Sequence, residues 1–287
     1  MKLLFSLLLS MNLFTPCQKS AGSATEVVMP DYSVAETILN APYGPDSMQR
    51  MDVYLPAGRS DTSTKSIILI HGGGWNAGSK SDFASYIETF KKRLPGYAIF
   101  NIDYRLATSK TIFPTQEKDV KAAVDFIAKK SKEYGINKTE MALLGASAGA
   151  HLAMLQAYKY NDVPIKAVVD FFGPTDLTTM YNKPWHSMIP YLLQMLTGTT
   201  PSANLKAYKA SSPVSFVTGN SPPTLILHGG NDNIVDPSQS RLLAAKLKEA
   251  GVNHDLVIYP GERHGWYGSS LTNSFDRIQD FLEATMK

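Results

Sequence analysis

Between Met141 and Lys159 the chain passes from one regular element to another within a few residues. Met141 to Leu144 is a short apolar run that suits a buried parallel strand. From Ala148 onward, Ala, Leu and Met recur at helical spacing, with good intrinsic helix propensity. Gly145-Ala146-Ser147-Ala148-Gly149 joins the two, so the turn is sharp. Glycine at both ends has no Cβ to hold strand and helix apart. Ser147 is then expected at the apex, its Oγ exposed and the positive end of a helix behind it. A Gly/Ala-rich helix start that happens to contain serine gives the same five residues, so the remaining chain has to decide between the two.

The chain has 287 residues, 44% of them hydrophobic and 18% charged, which is ample for one large domain or two small ones with a real core. Lys and Arg number 28 against 25 Asp and Glu, a net +3. That is too near balance to argue for nucleic acid or an acidic partner, and no basic run is interleaved with aromatics. Met1-Lys2, the apolar stretch Leu3 to Phe14 and the small residues Ser20 to Ala24 read as a secretory signal peptide over residues 1–24. The apolar stretch is too short to span a bilayer, so the chain is expected to be exported, periplasmic or extracellular, with no transmembrane segment. Cys17 is the only cysteine, so no internal disulfide can form. Its position after the apolar run resembles the lipid-attachment cysteine of bacterial lipoproteins, although Pro16 fits that site poorly. Cleavage near Ala24 is the expectation and a lipid anchor at Cys17 the alternative.

Residues 25–287 alternate between strand and helix signals. Strands are expected at Met51–Leu55, Ser66–Ile70, Tyr97–Asp103, Met141–Leu144, Ile165–Phe172, Pro222–His228 and Asp255–Tyr259. Helices are expected at Phe83–Arg93, Glu117–Tyr134, from Ala148, at Ser238–Ala250 and at Asn273–Met286. The fold is therefore α/β, a mainly parallel sheet flanked by helices. Residues 175–217 break the rhythm with Trp185, His186, Tyr191 and Met195 among turn residues, and fit a small cap insertion.

In such a sheet, ligands bind beyond the C-terminal ends of the strands. His71-Gly72-Gly73-Gly74-Trp75 follows a strand directly, and its glycines leave backbone N–H groups open to an incoming oxygen, as an oxyanion hole requires. Ser147, Asp232 and His264 also lie just past strand ends, in the order Ser, Asp, His. Serine needs a base to take its proton as it attacks, histidine can accept and return one near neutrality, and a carboxylate fixes the tautomer. Of the 6 histidines, His264 lies in a glycine-containing loop with the freedom a base needs. His71 is expected to shape the glycine turn, His151 to be buried behind the nucleophile and His228 to brace the Asp232 loop. His186 belongs to the insertion and His254 to the surface. Asp236 is expected to cap the following helix; Asp176 and Glu262 are weaker choices for the acid. Arg105 is expected to pair with a carboxylate such as Asp119. No cluster has metal-ligand spacing, so neither a metal nor another cofactor is implied.

Together, His71-Gly-Gly-Gly-Trp75, Asp103-Tyr-Arg105, Gly145-Ala-Ser-Ala-Gly149, His228-Gly-Gly-Asn-Asp232 with Val235-Asp-Pro237, and Gly261-Glu-Arg-His264-Gly265 resemble the α/β-hydrolase esterases of the hormone-sensitive-lipase type. Tyr43 to Pro56 looks more like a secreted bacterial branch that includes acetyl-xylan and feruloyl esterases. The resemblance implies a serine carboxylesterase without a cofactor, acting on short-acyl or aromatic esters, in particular of an acylated polysaccharide or oligosaccharide. It makes Ser147 the nucleophile, Asp232 the acid and His264 the base, with the N–H groups of Ala148 and of Gly72, Gly73 or Gly74 as oxyanion hole. Trp75, Tyr181, Trp185 and Trp266 are the aromatics expected to wall the substrate. A serine peptidase, an arylformamidase-like amidase and a non-catalytic binding protein of the same fold are the alternatives.

Overall fold

Strands form where the chain is apolar and β-branched on both faces, as in Ile67-Ile68-Leu69-Ile70, whose side chains are wholly buried. The computed structural model describes residues 30–286. The expected export leader at 1–24 and Cys17 lie outside the described residues. The strands are β1 (Glu36–Pro42), β2 (Arg50–Leu55), β3 (Lys65–Ile70), β4 (Tyr97–Ile102), β5 (Met141–Ala146), β6 (Ile165–Phe171), β7 (Thr224–Gly229) and β8 (His254–Tyr259). They form one 8-stranded sheet in the order β1-β2-β4-β3-β5-β6-β7-β8. β1 and β2 run antiparallel at one edge; from β4 to β8 every pairing is parallel. The C-terminal ends of β3, β5, β6, β7 and β8 therefore share one rim, which gathers segments distant in sequence.

The helices are α1 (Ile87–Arg93), α2 (Thr115–Lys129), α3 (Ser131–Tyr134), α4 (Ala148–Lys159), α5 (Leu177–Asn182), α6 (Ile189–Thr197), α7 (Leu205–Ala210), α8 (Ser238–Glu249) and α9 (Gly268–Thr285). α2, α4 and α8 bury Val124, Leu152 and Leu243 in the core on one face of the sheet. α1 and α9 bury Phe90, Phe275 and Ile278 in the core on the other. A 3-10 turn, Lys80–Tyr86, leads into α1, with the side chain of Ser79 accepting from the Ser81 amide and Asp82 reaching back to the Ser79 amide.

Several expectations change. The helix expected over Glu117–Tyr134 breaks at Lys130, which leaves helical geometry at φ −90 and ψ 10, into α2 and α3, and Gly135 ends the second piece in the left-handed region at φ 61. β1 has no counterpart in the sequence reading: its residues are mostly exposed and show no alternation to read. Arg105 does pair with Asp119, through Nε at 2.8 Å and a terminal nitrogen at 2.6 Å. Residues 175–217 hold α5, α6, α7 and a 3-10 turn at Pro213–Ser215. No described helix is long and apolar enough to cross a membrane.

Candidate active site

Ser147 occupies the junction of β5 and α4 at φ 54 and ψ −119, a conformation that costs a non-glycine residue free energy and needs its surroundings to hold it. The surroundings are close. A Cβ on Gly145 would lie 2.3 Å from the Gly149 carbonyl carbon, and one on Gly149 would lie 2.0 Å from the Ile70 oxygen. These glycines are what allow α4 to start against β3 and β5. The Ser147 amide donates to the Phe171 carbonyl at 2.8 Å, anchoring the turn to β6.

The imidazole of His264, on the loop after β8, meets this turn. Its Nε2 is 2.9 Å from Ser147 Oγ and its Nδ1 is 2.7 Å from Asp232 Oδ2. A carboxylate only accepts, so the proton sits on Nδ1 and the Nε2 lone pair faces the serine hydroxyl. Asp232, buried after β7, accepts from the amides of Ile234 and Val235 on Oδ1 at 2.8 and 3.0 Å. His228 Nε2 approaches the same Oδ2 at 3.2 Å and donates to the Val235 carbonyl at 2.9 Å. Burial alone would raise the Asp232 carboxyl, but His228, His264 and the Ile234 amide hold it far below the usual carboxylate range. It is an anion at any working pH.

Beside the serine runs the glycine turn after β3. Gly72 lies against the nucleophile: a Cβ there would meet the Ala146 oxygen at 2.9 Å and Ser147 Cβ at 3.4 Å. The Gly72 carbonyl accepts from His71 Nδ1 at 2.8 Å and from the Tyr104 hydroxyl at 3.3 Å. The Gly73 carbonyl accepts from the amides of Asn76 and Ala77. In a trans peptide the N–H points opposite to the preceding carbonyl. The Gly73 and Gly74 amides are thus turned away from the bonds that fix the loop, and among the described residues neither donates to another backbone group.

The rim thus holds a serine, an oriented imidazole, a buried carboxylate and unpaired amides. A family model described as BD-FAE matches residues 51–247. The chain belongs to the BD-FAE family. Among proteins of known name, it is 29% identical over 241 residues to the probable carboxylic ester hydrolase LipM of Mycobacterium tuberculosis, covering 80% of this chain and 54% of that protein. The chain thus spans about half the length of this relative. A truncated carbohydrate esterase from gut microbiota superposes with a TM-score of 0.75 at 24% identity, covering 90% of this chain and 99% of that one. The propionate-bound esterase Est2 of Thermogutta terrifontis superposes at 0.69 with 25% identity, covering 89% and 96%. The fold is that of the α/β-hydrolases, and the resemblance drawn from the motifs holds.

Within this BD-FAE member the aromatics expected to wall the substrate divide. Trp75 is corrected: at 2% exposure its indole is buried and donates to His151 Nδ1 at 3.1 Å, so it packs the turn instead of facing a ligand. Trp266 is also buried, its N–H given to Ser274 Oγ at 2.9 Å, and it lines an apolar cavity with Phe172 and Phe275. Tyr181 is corrected too: its ring packs edge-on against Tyr208 and its hydroxyl accepts from Gln194, joining α5 to α6 and α7. Trp185 is 60% exposed between α5 and α6. His71 stacks on Tyr104 with centroids 4.3 Å apart, and burial lowers its pKa. Asp236 accepts from the Ser238 amide at the start of α8, and Asp176 caps α5. His254 is half-buried at the head of β8.

Phe172 is the residue sequence reasoning missed. It sits just past β6 at φ 45, with its ring centroid 4.6 Å from that of His264. The Gly173 amide donates to Asp170 Oδ1 at 2.7 Å, bending the chain so that the ring projects onto the imidazole. Burial raises the Asp170 acid to about 7. A positive φ at a phenylalanine leaves no mark in the sequence; only Gly173-Pro174 signalled a turn.

Proposed function

We propose that the protein is a serine carboxylesterase. The observation that carries this reading is the continuous chain Ser147 Oγ–His264–Asp232 beside the free amides of the glycine turn. Ser147 Oγ bonds to the ester carbonyl carbon as its proton passes to His264 Nε2. The oxyanion is taken by the N–H groups of Gly73, Gly74 and Ala148, and Asp232 stabilises the imidazolium. The bond to the alcohol oxygen breaks as His264 returns the proton to it, leaving an acyl–serine. Water then adds to that carbonyl, giving a proton to His264, and the proton returns to Ser147 as the acid departs.

Short acyl groups and a carbohydrate alcohol are the substrate we favour. The motif resemblance supports this, as does an open cleft beside the glycine turn, where Asn76, Thr108, Ser109, Gln194, Thr199 and Thr200 offer the hydrogen-bonding groups a polyol needs. Helix α6 borders that cleft, with Met195 Sδ accepting from Asn76 and Leu192 beside Gly74, which is the capping role we assign to residues 175–217. We read residues 1–24 as an export leader, to be checked by the mass of the mature N-terminus.

The test is hydrolysis of p-nitrophenyl esters and of acetylated and feruloylated xylan by wild type and by Ser147→Ala. Activity on acetate and on xylan, lost in the variant, is expected. Activity that survives Ser147→Ala would overturn the mechanism.

A further inference from the structure

Phe172 holds a backbone conformation that a phenylalanine adopts only under constraint: its φ of 45 lies in the left-handed region, where a bulky side chain is an outlier. The constraint comes from both sides. The Phe172 amide donates to the Leu227 carbonyl on β7 at 2.8 Å, and the Gly173 amide donates to Asp170 Oδ1 at 2.7 Å. Gly173 is itself enclosed, since a Cβ there would meet Asp170 Oδ1 at 2.6 Å and Ala150 Cβ at 2.8 Å. The ring delivered by this backbone is backed edge-on by Trp266 at 5.3 Å and by Phe171 at 5.9 Å. Its other neighbours are the two histidines that share Asp232 Oδ2: His264 at 4.6 Å, the planes inclined by 57°, and His228 at 6.5 Å.

We propose that Phe172 is a positioning residue for His264, its ring the third support that fixes the plane of the imidazole. The proposal rests on the esterase reading above. The imidazole is held at its two nitrogens, by Asp232 Oδ2 and Ser147 Oγ. Both bonds lie in the ring plane, so a swing about the line joining the two oxygens leaves their lengths nearly unchanged. The loop resists that swing weakly, because Gly261 and Gly265 flank His264 and Gly265 sits at φ 100. The resistance has to come from a contact on the ring itself. Among the described residues, Phe172 is the one aromatic ring packed against it. The swing matters because Nε2 has to meet the serine hydroxyl in one step and the alcohol oxygen or a water in the next. Misplacing such a group by about 1 Å can cost about 10²-fold in rate. Glycine at this position would take the same φ without strain, but would deliver no ring.

Phe172→Leu, Phe172→Gly and Phe172→Tyr are assayed on p-nitrophenyl acetate beside wild type. Ile278→Ala, a truncation in the same core from α9, serves as the packing control. Phe172→Leu should lose about tenfold in kcat with KM within about twofold, because the support acts on the proton transfers and not on substrate binding. Phe172→Gly should lose at least as much although its backbone is relaxed, and Phe172→Tyr, which keeps the ring, should stay within about threefold. Ile278→Ala should lower the urea midpoint and keep kcat. The proton that His264 Nδ1 shares with Asp232 gives a far-downfield NMR resonance, assigned by its loss in His264→Ala. It should be sharp in wild type and in Phe172→Tyr, and broadened by exchange in Phe172→Leu. Should Phe172→Gly be insoluble, Phe172→Leu, which keeps most of the buried carbon, decides alone. Wild-type kcat in Phe172→Leu, a Phe172→Tyr as slow as Phe172→Leu, an equal fall in Ile278→Ala, or an unchanged resonance in Phe172→Leu overturns the assignment. With wild type active and Ser147→Ala inactive, the esterase reading would stand in that case. A wild type that hydrolyses no ester overturns that reading, and the Nδ1 resonance of wild type and Phe172→Leu still decides whether the ring fixes the imidazole.

Discussion

The indole N–H of Trp75 donates to Nδ1 of His151 at 3.1 Å, across a sequence separation of 76 residues. An indole nitrogen only donates, so Nδ1 of His151 is the acceptor and its proton lies on Nε2, which donates to the Ser211 carbonyl at 2.7 Å. Burial lowers the His151 pKa to about 4, so the ring is neutral and this tautomer persists. The end of the glycine turn is thereby tied to the helix that begins at the nucleophile. The two halves of the site, amides and serine, are held in register by a bond that touches no substrate.

Removing that bond should separate binding from turnover. In Trp75→Phe the His151 Nδ1 is left buried without a donor, which costs about 1–3 kcal/mol of stability. The glycine turn gains freedom, and its amides act chiefly on the transition state. We expect kcat on p-nitrophenyl acetate to fall about tenfold while KM stays within about twofold. Urea denaturation and steady-state kinetics check both. A variant equal to wild type in kcat and in denaturation midpoint would show that the tie is idle.

Stability should depend on pH in two opposing ways. Between pH 4 and 6.5 the unfolded chain protonates His151 and the folded protein does not, so this contribution is present above 6.5 and lost as pH falls towards 4. Over the full window it amounts to about 3 kcal/mol. Asp170 acts with the other sign. Its folded acid titrates near 7 against an ordinary 3.8, so stability present below 3.8 is lost as pH rises to about 7. His151→Gln keeps an acceptor and a donor but no titration, and should lose less stability than wild type on acidification. Asp170→Asn should lose less than wild type as pH rises from about 4 to 7. Urea midpoints measured at both ends of the window decide. Slopes unchanged from wild type would mean that these groups titrate alike in both states.

Much of the site was legible because its chemistry is written in residues that glycine and strand ends make conspicuous. Gly145 and Gly149 flank a serine that they alone allow to sit so close to β3, and the order of Ser147, Asp232 and His264 follows strand ends. What was not legible depends on long-range packing. Trp75 reads as an aromatic walling the substrate until His151, 76 residues away, accounts for its N–H. Phe172 reads as the last residue of a strand until its φ of 45 turns the ring onto His264. β1 carries no periodic signal, since an edge strand with so many exposed residues has little apolar pattern to show.

The glycines permit a sharp contrast. In Gly149→Ala the new Cβ would lie 2.0 Å from the Ile70 oxygen and 2.4 Å from the His71 oxygen, both backbone atoms that cannot step aside. α4 would have to move off β3, and with it Ser147. Loss of more than about 3 kcal/mol of stability, or insoluble protein, is expected, and any soluble fraction should lack activity. A Cβ on Gly96 would meet nothing within 4 Å, and its φ is not positive, so Gly96→Ala should leave activity intact and gain up to about 1 kcal/mol. Similar denaturation curves for the two variants would refute this account of the turn.

The role of Asp232 can be tested through the direction of its hydrogen bonds. In Asp232→Asn the amide oxygen stays where the Ile234 and Val235 amides donate, because an NH2 there would face two donors. The NH2 then takes the place of Oδ2, opposite His264 Nδ1 and His228 Nε2. Facing a donor, His264 must accept at Nδ1, so its proton moves to Nε2 and the lone pair that would take the Ser147 proton is gone. The expected loss in kcat is on the order of 10⁴-fold, with little change in KM. Because serine, imidazole and carboxylate act as a unit, adding Asp232→Asn to Ser147→Ala should cost almost nothing further. His228, whose N–H would then also face a donor, adds a loss of stability that Asp236→Asn, at the surface end of α8, should not produce. Should Asp232→Asn retain activity within about tenfold of wild type, the tautomer of His264 is being set by another group and the acid lies elsewhere on the rim.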